Sequence, residues 1–335
     1  MAVYTHLGAE ELARLLAEFD VGTLRSAKGI AEGVSNSNWL IETEGRAGNG
    51  PEPAGTHFIL TMYEQRTDVR DLPFFLGLMD HLSDHDCPVP ATIHDRAGNA
   101  YRLFDGKAVA LIEFLPGVSV SVPTPGQARA VGAELARIHL ASADFALSRA
   151  NDFGPEGWQS LADGCGHEGF LAIDPALAPL VERELPALLA AWPTELPRSV
   201  IHADLFPDHV LMLGETVPGL IDFYFACTDI TAYDVAVTHA AWCFDAEGRA
   251  FNPALSAALL EGYEAVRPLS DAEHAALPLL ARGAAMRFAM TRAYDWLHTP
   301  AGALVTRKDP MAFARRLEFY ADPENSAIFA KPAAR

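Results

Sequence analysis

Residues 199–225 read SVIHADLFPDHVLMLGETVPGLIDFYF. Three polar groups punctuate the stretch: Asp204 in H-A-D, His209 five residues on, and Asp222 in I-D-F. Between the last two, V-L-M-L, a turn at G-E-T and V-P-G-L-I read as a β-hairpin. A two-residue loop at Glu215 and Thr216 sets His209 directly opposite Asp222. Opposed side chains share one face, with Cβ atoms roughly 5 Å apart. Side chains alternate along a strand, so a slip of one residue turns one partner to the other face. On this register a cation sits between the two ends of the hairpin, with Asp204 beside it.

That constellation suits phosphoryl transfer. The reaction needs a carboxylate to orient the attacking hydroxyl and take its proton, and divalent cations to bridge the phosphates. Protein kinases meet the need with an Asp, a metal ligand five residues later and a metal-binding Asp at the end of a following hairpin. Asp204, His209 and Asp222 follow the same spacing. A dinuclear metallohydrolase is the competing use of H-x-D with a later D-H, but it leaves the N-terminal sheet described next without a role.

Upstream, residues 8–19 form an amphipathic helix with Leu12, Leu15, Leu16 and Phe19 on one stripe. Residues 28–43, KGIAEGVSNSNWLIET, read as strand, polar turn and strand. A P-loop or dinucleotide fingerprint needs a helix at that point, whereas a polar hairpin tip offers backbone N–H groups to a polyphosphate. Residues 45–57 are a surface loop of turn-formers. HFILTMYE (57–64) is a strand with Phe58, Leu60 and Met62 on one face and Ile59, Thr61 and Tyr63 on the other. A helix over 71–82 with Pro73 in its first turn follows, then strands at 100–104 and 108–115. The result is a mostly antiparallel α+β unit. Pro and Gly between 115 and 126 mark the domain boundary, and beyond it helices are expected over 126–141, 177–192, 253–264, 271–281 and 283–297. The tail after Tyr320 reads as loosely ordered.

The chain has 335 residues and a formal charge of −19, which argues against attraction to nucleic acid or anionic membranes. Any anionic substrate must therefore meet local positive groups or a divalent metal. Its four cysteines show no C-x-x-C spacing and read as reduced thiols. The N-terminal residues lack the basic flank and apolar run of a signal peptide, and no window reaches the roughly 18 apolar residues of a membrane span. The expectation is a soluble cytoplasmic protein, monomeric or homodimeric, with no nucleic-acid or membrane partner.

VIHADLFPDHV, GLIDFYFACTD and AYDVA resemble the aminoglycoside phosphotransferase-like kinases and, within them, the homoserine kinases of that type. KGIAEGVSNSN, DLPFFLGLM, FLPGVSV, LARIHLA and RAYDWLHTP extend the resemblance over nearly the whole chain. It implies a bilobal protein-kinase-like fold: an N-lobe antiparallel sheet with a helix over residues 1–112, a hinge at 113–118, and a mainly helical C-lobe over 119–335 that contains the catalytic hairpin. It implies ATP and Mg2+ as cofactors and L-homoserine as acceptor, with choline, ethanolamine or an aminoglycoside as alternatives and a catalytically impaired nucleotide binder as another. Asp204 would be the base and Asp222 the principal metal ligand. Gly33, Ser35, Asn36, Ser37, Asn38 and Thr61 would line the nucleotide phosphates, and Glu113, Phe114 and Leu115 would be the hinge that bonds adenine.

Three departures from the family pattern stand out. His209 occupies the usual Asn position, and Mg2+ prefers hard oxygen ligands, so the metal preference moves towards Mn2+ or the imidazole serves a phosphate or water. Thr61 stands where a phosphate-pairing Lys or Arg is usual, which leaves Lys28 and Arg66 as candidates for that cation. The loop at 45–57 is longer than usual. For the acceptor, Arg287 and Arg292 are the expected carboxylate partners, with Asp229 and Tyr224 for the ammonium and the pocket wall. Trp296 reads as core, and Asp234 as a structural cap.

Overall fold

A computed structural model describes residues 7–30, 36–44, 57–64, 68–300 and 307–330. The chain separates into two compact units, Met1–Pro116 and Gly117–Arg335.

The first unit is built on an antiparallel sheet. Its elements are α1 (Ala9–Leu16), β1 (Thr23–Ile30), β2 (Asn36–Glu44), β3 (His57–Tyr63), α2 (Leu72–Asp84), β4 (Thr92–Ile93), β5 (Arg102–Phe104) and β6 (Lys107–Glu113). The strand order is β1-β2-β3-β6-β4, with β5 paired to β6. Leu12, Leu15 and Leu16 of α1 cluster with Trp39, Ile41, Phe58, Leu60, Met62, Val109 and Leu111 from the sheet, as period-2 alternation dictates. Thr61 and Tyr63 on the opposite face of β3 are buried too, so this strand is covered on both sides. Pro73 occupies the first turn of α2, where its missing N–H is no loss.

The second unit is mainly helical. It contains α3 (Pro125–Ala141), α4 (Pro155–Ile173), α5 (Leu177–Ala191), β7 (Arg198–Ile201), β8 (Val210–Leu213), β9 (Thr216–Leu220), β10 (Cys227–Ile230), α6 (Thr231–Trp242), α7 (Pro253–Val266), α8 (Asp271–His298) and α9 (Met311–Ala321). β8 and β9 form the hairpin, and β7 pairs antiparallel with β10. Every residue of α6 is buried. A helix enclosed on all sides has no polar stripe, which is why periodicity does not announce it.

Two expectations are corrected here. The helices expected at 271–281 and 283–297 are one 28-residue helix, α8. Gly283 is a packing notch and not a break: a Cβ there would lie 2.3 Å from the ring of Trp192 and 2.9 Å from that of Trp158. The tail is also ordered as far as it is described. Pro323–Phe329 forms a 3-10 turn, and buried Phe329 packs 4.7 Å from the ring of His239.

Candidate active site

The H-A-D segment, residues 202–204, leaves β7 as a sharp turn held from beneath. Ala203 sits in the left-handed region at φ +64°, which costs about 1–2 kcal/mol for a residue with a Cβ. The carboxylate of Asp234, in the first turn of α6, offsets that cost. It accepts from His202 N at 2.7 Å and Ala203 N at 2.8 Å. His139 of α3 contacts the same carboxylate at 3.1 Å and the Tyr263 hydroxyl of α7 at 2.8 Å. Burial opposes the charge on Asp234, but the His139 hydrogen bond and its neighbours outweigh it and hold the pKa below the ordinary value. Asp234 is therefore not the helix cap expected: it lies inside α6, whose N-cap is Ile230, and its carboxylate closes the H-A-D turn instead.

His202 ties that turn to the far end of the hairpin. Its Nε2 donates to the Ile221 carbonyl at 3.0 Å, and its Nδ1 accepts from Asp204 N at 3.3 Å. Burial pushes its pKa down to about 4, so the ring is neutral at pH 7, as this bonding requires. Trp242 at the end of α6 donates to the Leu205 carbonyl at 2.9 Å. Asp204 is thus fixed by its backbone on both sides.

The hairpin register departs from expectation by one residue. Leu213 pairs with Thr216, so the loop is Gly214–Glu215, and a bulge separates this pair from Leu211↔Gly219 and Val210↔Leu220. Gly214, at φ +63°, takes the left-handed position that a tight turn requires. The ladder continues with Ile221 N donating to His209 O at 3.0 Å, so Ile221, not Asp222, opposes His209. The pair meets nonetheless: His209 Nε2 lies 3.4 Å from Asp222 Oδ2. Asp222 has left the strand for the left-handed region (φ +66°, ψ +57°), and this twist turns its carboxylate back to the face a slip would have denied it.

His209 links the two aspartates. Its Nδ1 donates to the Asp204 carbonyl at 2.6 Å and stands 3.5 Å from Asp204 Oδ2. Burial disfavours its charged form, but the Asp222 and Asp204 charges prevail and raise its pKa. Asp222, with 39% of its side chain exposed, has its pKa raised by burial, countered by His209 and reinforced by Asp204. Two carboxylates converging around one imidazole make a local negative centre suited to a cation.

The other expected residues are distributed as follows. Tyr224 lies in the 3-10 turn Phe223–Phe225 directly after Asp222. Asp229 is not free for an ammonium: Asn151 Nδ2 at 2.7 Å, Arg198 Nη1 at 3.1 Å and Ile230 N at 2.7 Å occupy its carboxylate. Arg287 is buried and donates from Nη1 to the Ala203 carbonyl. Arg292, one turn and a half along α8, stacks 4.5 Å over Phe313 and donates to the Asp309 carbonyl at 3.2 Å. Desolvation and then Arg316 lower its pKa to about 10, against the pull of Asp204, so it remains a cation at neutral pH.

In the first unit, Gly33, Ser35 and Arg66 lie outside the described residues. Asn38 opposes Thr61, and Thr61 Oγ1 donates to Asn38 Oδ1 at 2.9 Å. Asn36 accepts from Glu64 N at 3.4 Å, and Ser37 donates to Glu64 Oε1 at 2.7 Å. Glu64 also holds Lys107 at 2.5 Å, bringing to this end of the sheet a cation that sequence reading overlooked. Lys28 lies on exposed β1. Glu113 ends β6 with its N–H donated to the Ala91 carbonyl at 2.9 Å, and Phe114 and Leu115 continue as irregular backbone.

Residues 26–269 match the model of the phosphotransferase enzyme family. A homoserine kinase of Gluconacetobacter diazotrophicus is 47% identical over 331 residues, spanning 98% of this chain and 99% of its own. One from Acidiphilium cryptum is 49% identical over 330 residues, with the same coverage. Among solved structures, an amicoumacin kinase in complex with AMP-PNP and Ca2+ aligns with a TM-score of 0.68 at 15% identity, covering 94% of each chain. The fold is therefore the α+β protein-kinase-like fold of these phosphotransferases. Among the described residues, no helix is long and apolar enough to cross a membrane.

Proposed function

The chain belongs to the phosphotransferase enzyme family, and on that premise we propose that it transfers the γ-phosphoryl group of ATP to the side-chain hydroxyl of L-homoserine, a step of threonine biosynthesis in the cytoplasm. The observation that carries the acceptor is the 47–49% identity, over nearly the full length, to chains named homoserine kinase. The held turn around Asp204 supports the chemistry.

In this reading Asp204 orients the acceptor hydroxyl and takes its proton as the oxygen attacks the phosphorus. Its two backbone-anchored neighbours spare it reorganisation during the reaction. The donor set around Asp222 fits a divalent cation, because a carboxylate raised by burial and by Asp204 gains from one. Asp222 would hold it, with His209 Nε2 beside it, since Nδ1 is committed to the Asp204 carbonyl. Such an ion, Mg2+ or Mn2+, would neutralise the charge that develops on the phosphates during transfer. Residues 1–112 would cover the nucleotide through Gly33, Ser35–Asn38 and Thr61, residues 113–118 would form the adenine hinge, and residues 119–335 would carry catalysis. Arg292 would take the homoserine carboxylate, with Tyr224 as pocket wall.

An acceptor screen scored by ADP release tests the proposal. Homoserine should give the highest kcat/KM among homoserine, choline, ethanolamine and aminoglycosides. Turnover of one of the others with none on homoserine sinks the acceptor and spares the phosphotransfer site.

A further inference from the structure

Arg287, like Asp229, is an expected acceptor ligand that the structure seals off. It is 2% exposed, and its guanidinium lies 5.4 Å from the ring of Phe153, 5.7 Å from Phe225 and 4.6 Å from Phe288. A carboxylate gripped by Arg needs two parallel N–H groups on one open edge. Here Nη1 is committed to the Ala203 carbonyl, Nη2 stands 4.0 Å from Asp204 Oδ1, and Nε is buried with no hydrogen-bond partner among the described residues. A buried cation with an unmade bond is costly to keep, and packing alone would be served by an apolar side chain. What this cation does touch is the backbone immediately before Asp204 and the Asp204 carboxylate itself.

We propose that Arg287 is a positioning residue for the reaction: it pins the carbonyl of the left-handed Ala203 and holds Asp204 by charge from behind, and it makes no contact with the acceptor. Asp234 grips the N–H groups of the turn from α6, and Arg287 grips its carbonyl from α8. The turn is thereby clamped through both polarities of its backbone. The three rings surround the guanidinium within the range of cation–π attraction. The proposal rests on the phosphotransfer reading but not on homoserine being the acceptor.

Steady-state kinetics of Arg287→Met and Arg287→Lys test it, with homoserine and with 3-aminopropan-1-ol, its counterpart without the carboxylate. A positioning role predicts that Arg287→Met lowers kcat about 100-fold on either acceptor, the loss expected for a base misplaced by about 1 Å. KM for each should stay within about twofold, because binding contacts are untouched. Arg287→Lys should recover part of kcat, since an ammonium keeps the charge but not the fork. Should Arg287→Met raise KM for homoserine alone with kcat unchanged, Arg287 binds the acceptor carboxylate and the proposal is overturned. Unchanged kinetics in Arg287→Met overturn it as well. If Arg287→Met does not fold, Arg287→Lys decides: lower kcat at unchanged KM supports the clamp, and wild-type kcat rejects it. An enzyme inactive on homoserine but active on another amino alcohol is tested on that acceptor, so the two readings fail separately.

Discussion

His209 is where residue chemistry and spacing pull apart. An amide at this position would offer oxygen to a metal and N–H to a carbonyl; the imidazole keeps the second task, donating to the Asp204 carbonyl at 2.6 Å, and would bring nitrogen to the first. His209→Asn should therefore retain turnover within about tenfold while lowering the ratio of Mn2+- to Mg2+-supported activity, because hard Mg2+ favours oxygen. A ratio unchanged from wild type would show that the ring does not contact the ion. At Asp204, substitution by Asn should cut kcat by about 100- to 10,000-fold, the range for loss of a general base. The nucleotide-induced rise in melting temperature should persist. Near-normal turnover in that variant would remove Asp204 from the mechanism. The identities of Asp204, His209 and Asp222 were legible in the sequence because their spacing is local. The support that Asp234 and Arg287 give the turn, and His139 gives Asp234, was not, because the three come from different helices.

Elements place these residues by close approach. α3 and α7 meet at reciprocal glycines: a Cβ on Gly132 would lie 2.1 Å from the Leu259 carbonyl, and one on Gly262 would lie 2.0 Å from the Arg129 carbonyl. Neither neighbour is a flexible side-chain tip. Gly262→Ala should force the helices apart and destabilise the protein by about 1–3 kcal/mol, the cost of overpacking, read as a lower urea midpoint. A midpoint equal to wild type would mean that the helices part without penalty. Because His139 of α3 and Tyr263 of α7 carry the contact to Asp234, the same variant should lower kcat more than an equally destabilising change remote from these helices. The hairpin shows the limit of element-level reading. Alternation predicted which residues meet, but the loop moved by one position and the left-handed Asp222 restored the pairing.

At the scale of the whole molecule, buried histidines couple stability to pH. His239, fully buried against Tyr320 and Ser256, has its pKa lowered by burial to about 3, and His202 to about 4. An unfolded histidine titrates near 6.5. Between those values the unfolded chain binds more protons, so stability is full above about pH 6.5 and falls as the pH drops, by up to about 1.4 kcal/mol per pH unit for each group. Melting temperature should decline from pH 7 to 5, and His239→Gln should flatten that decline. An equal slope in the variant would reject His239 as a source. The sequence by itself determined the α+β class, most strands and helices, and the grouping of Asp204, His209 and Asp222, because periodicity and spacing are properties of neighbouring residues. Only the tertiary structure decided the unbroken α8, the enclosed α6, the occupied Asp229 and the double clamp on the H-A-D turn. Burial from all sides erases periodicity, and a buried carboxylate or guanidinium finds its partner across the fold, where no local pattern records it.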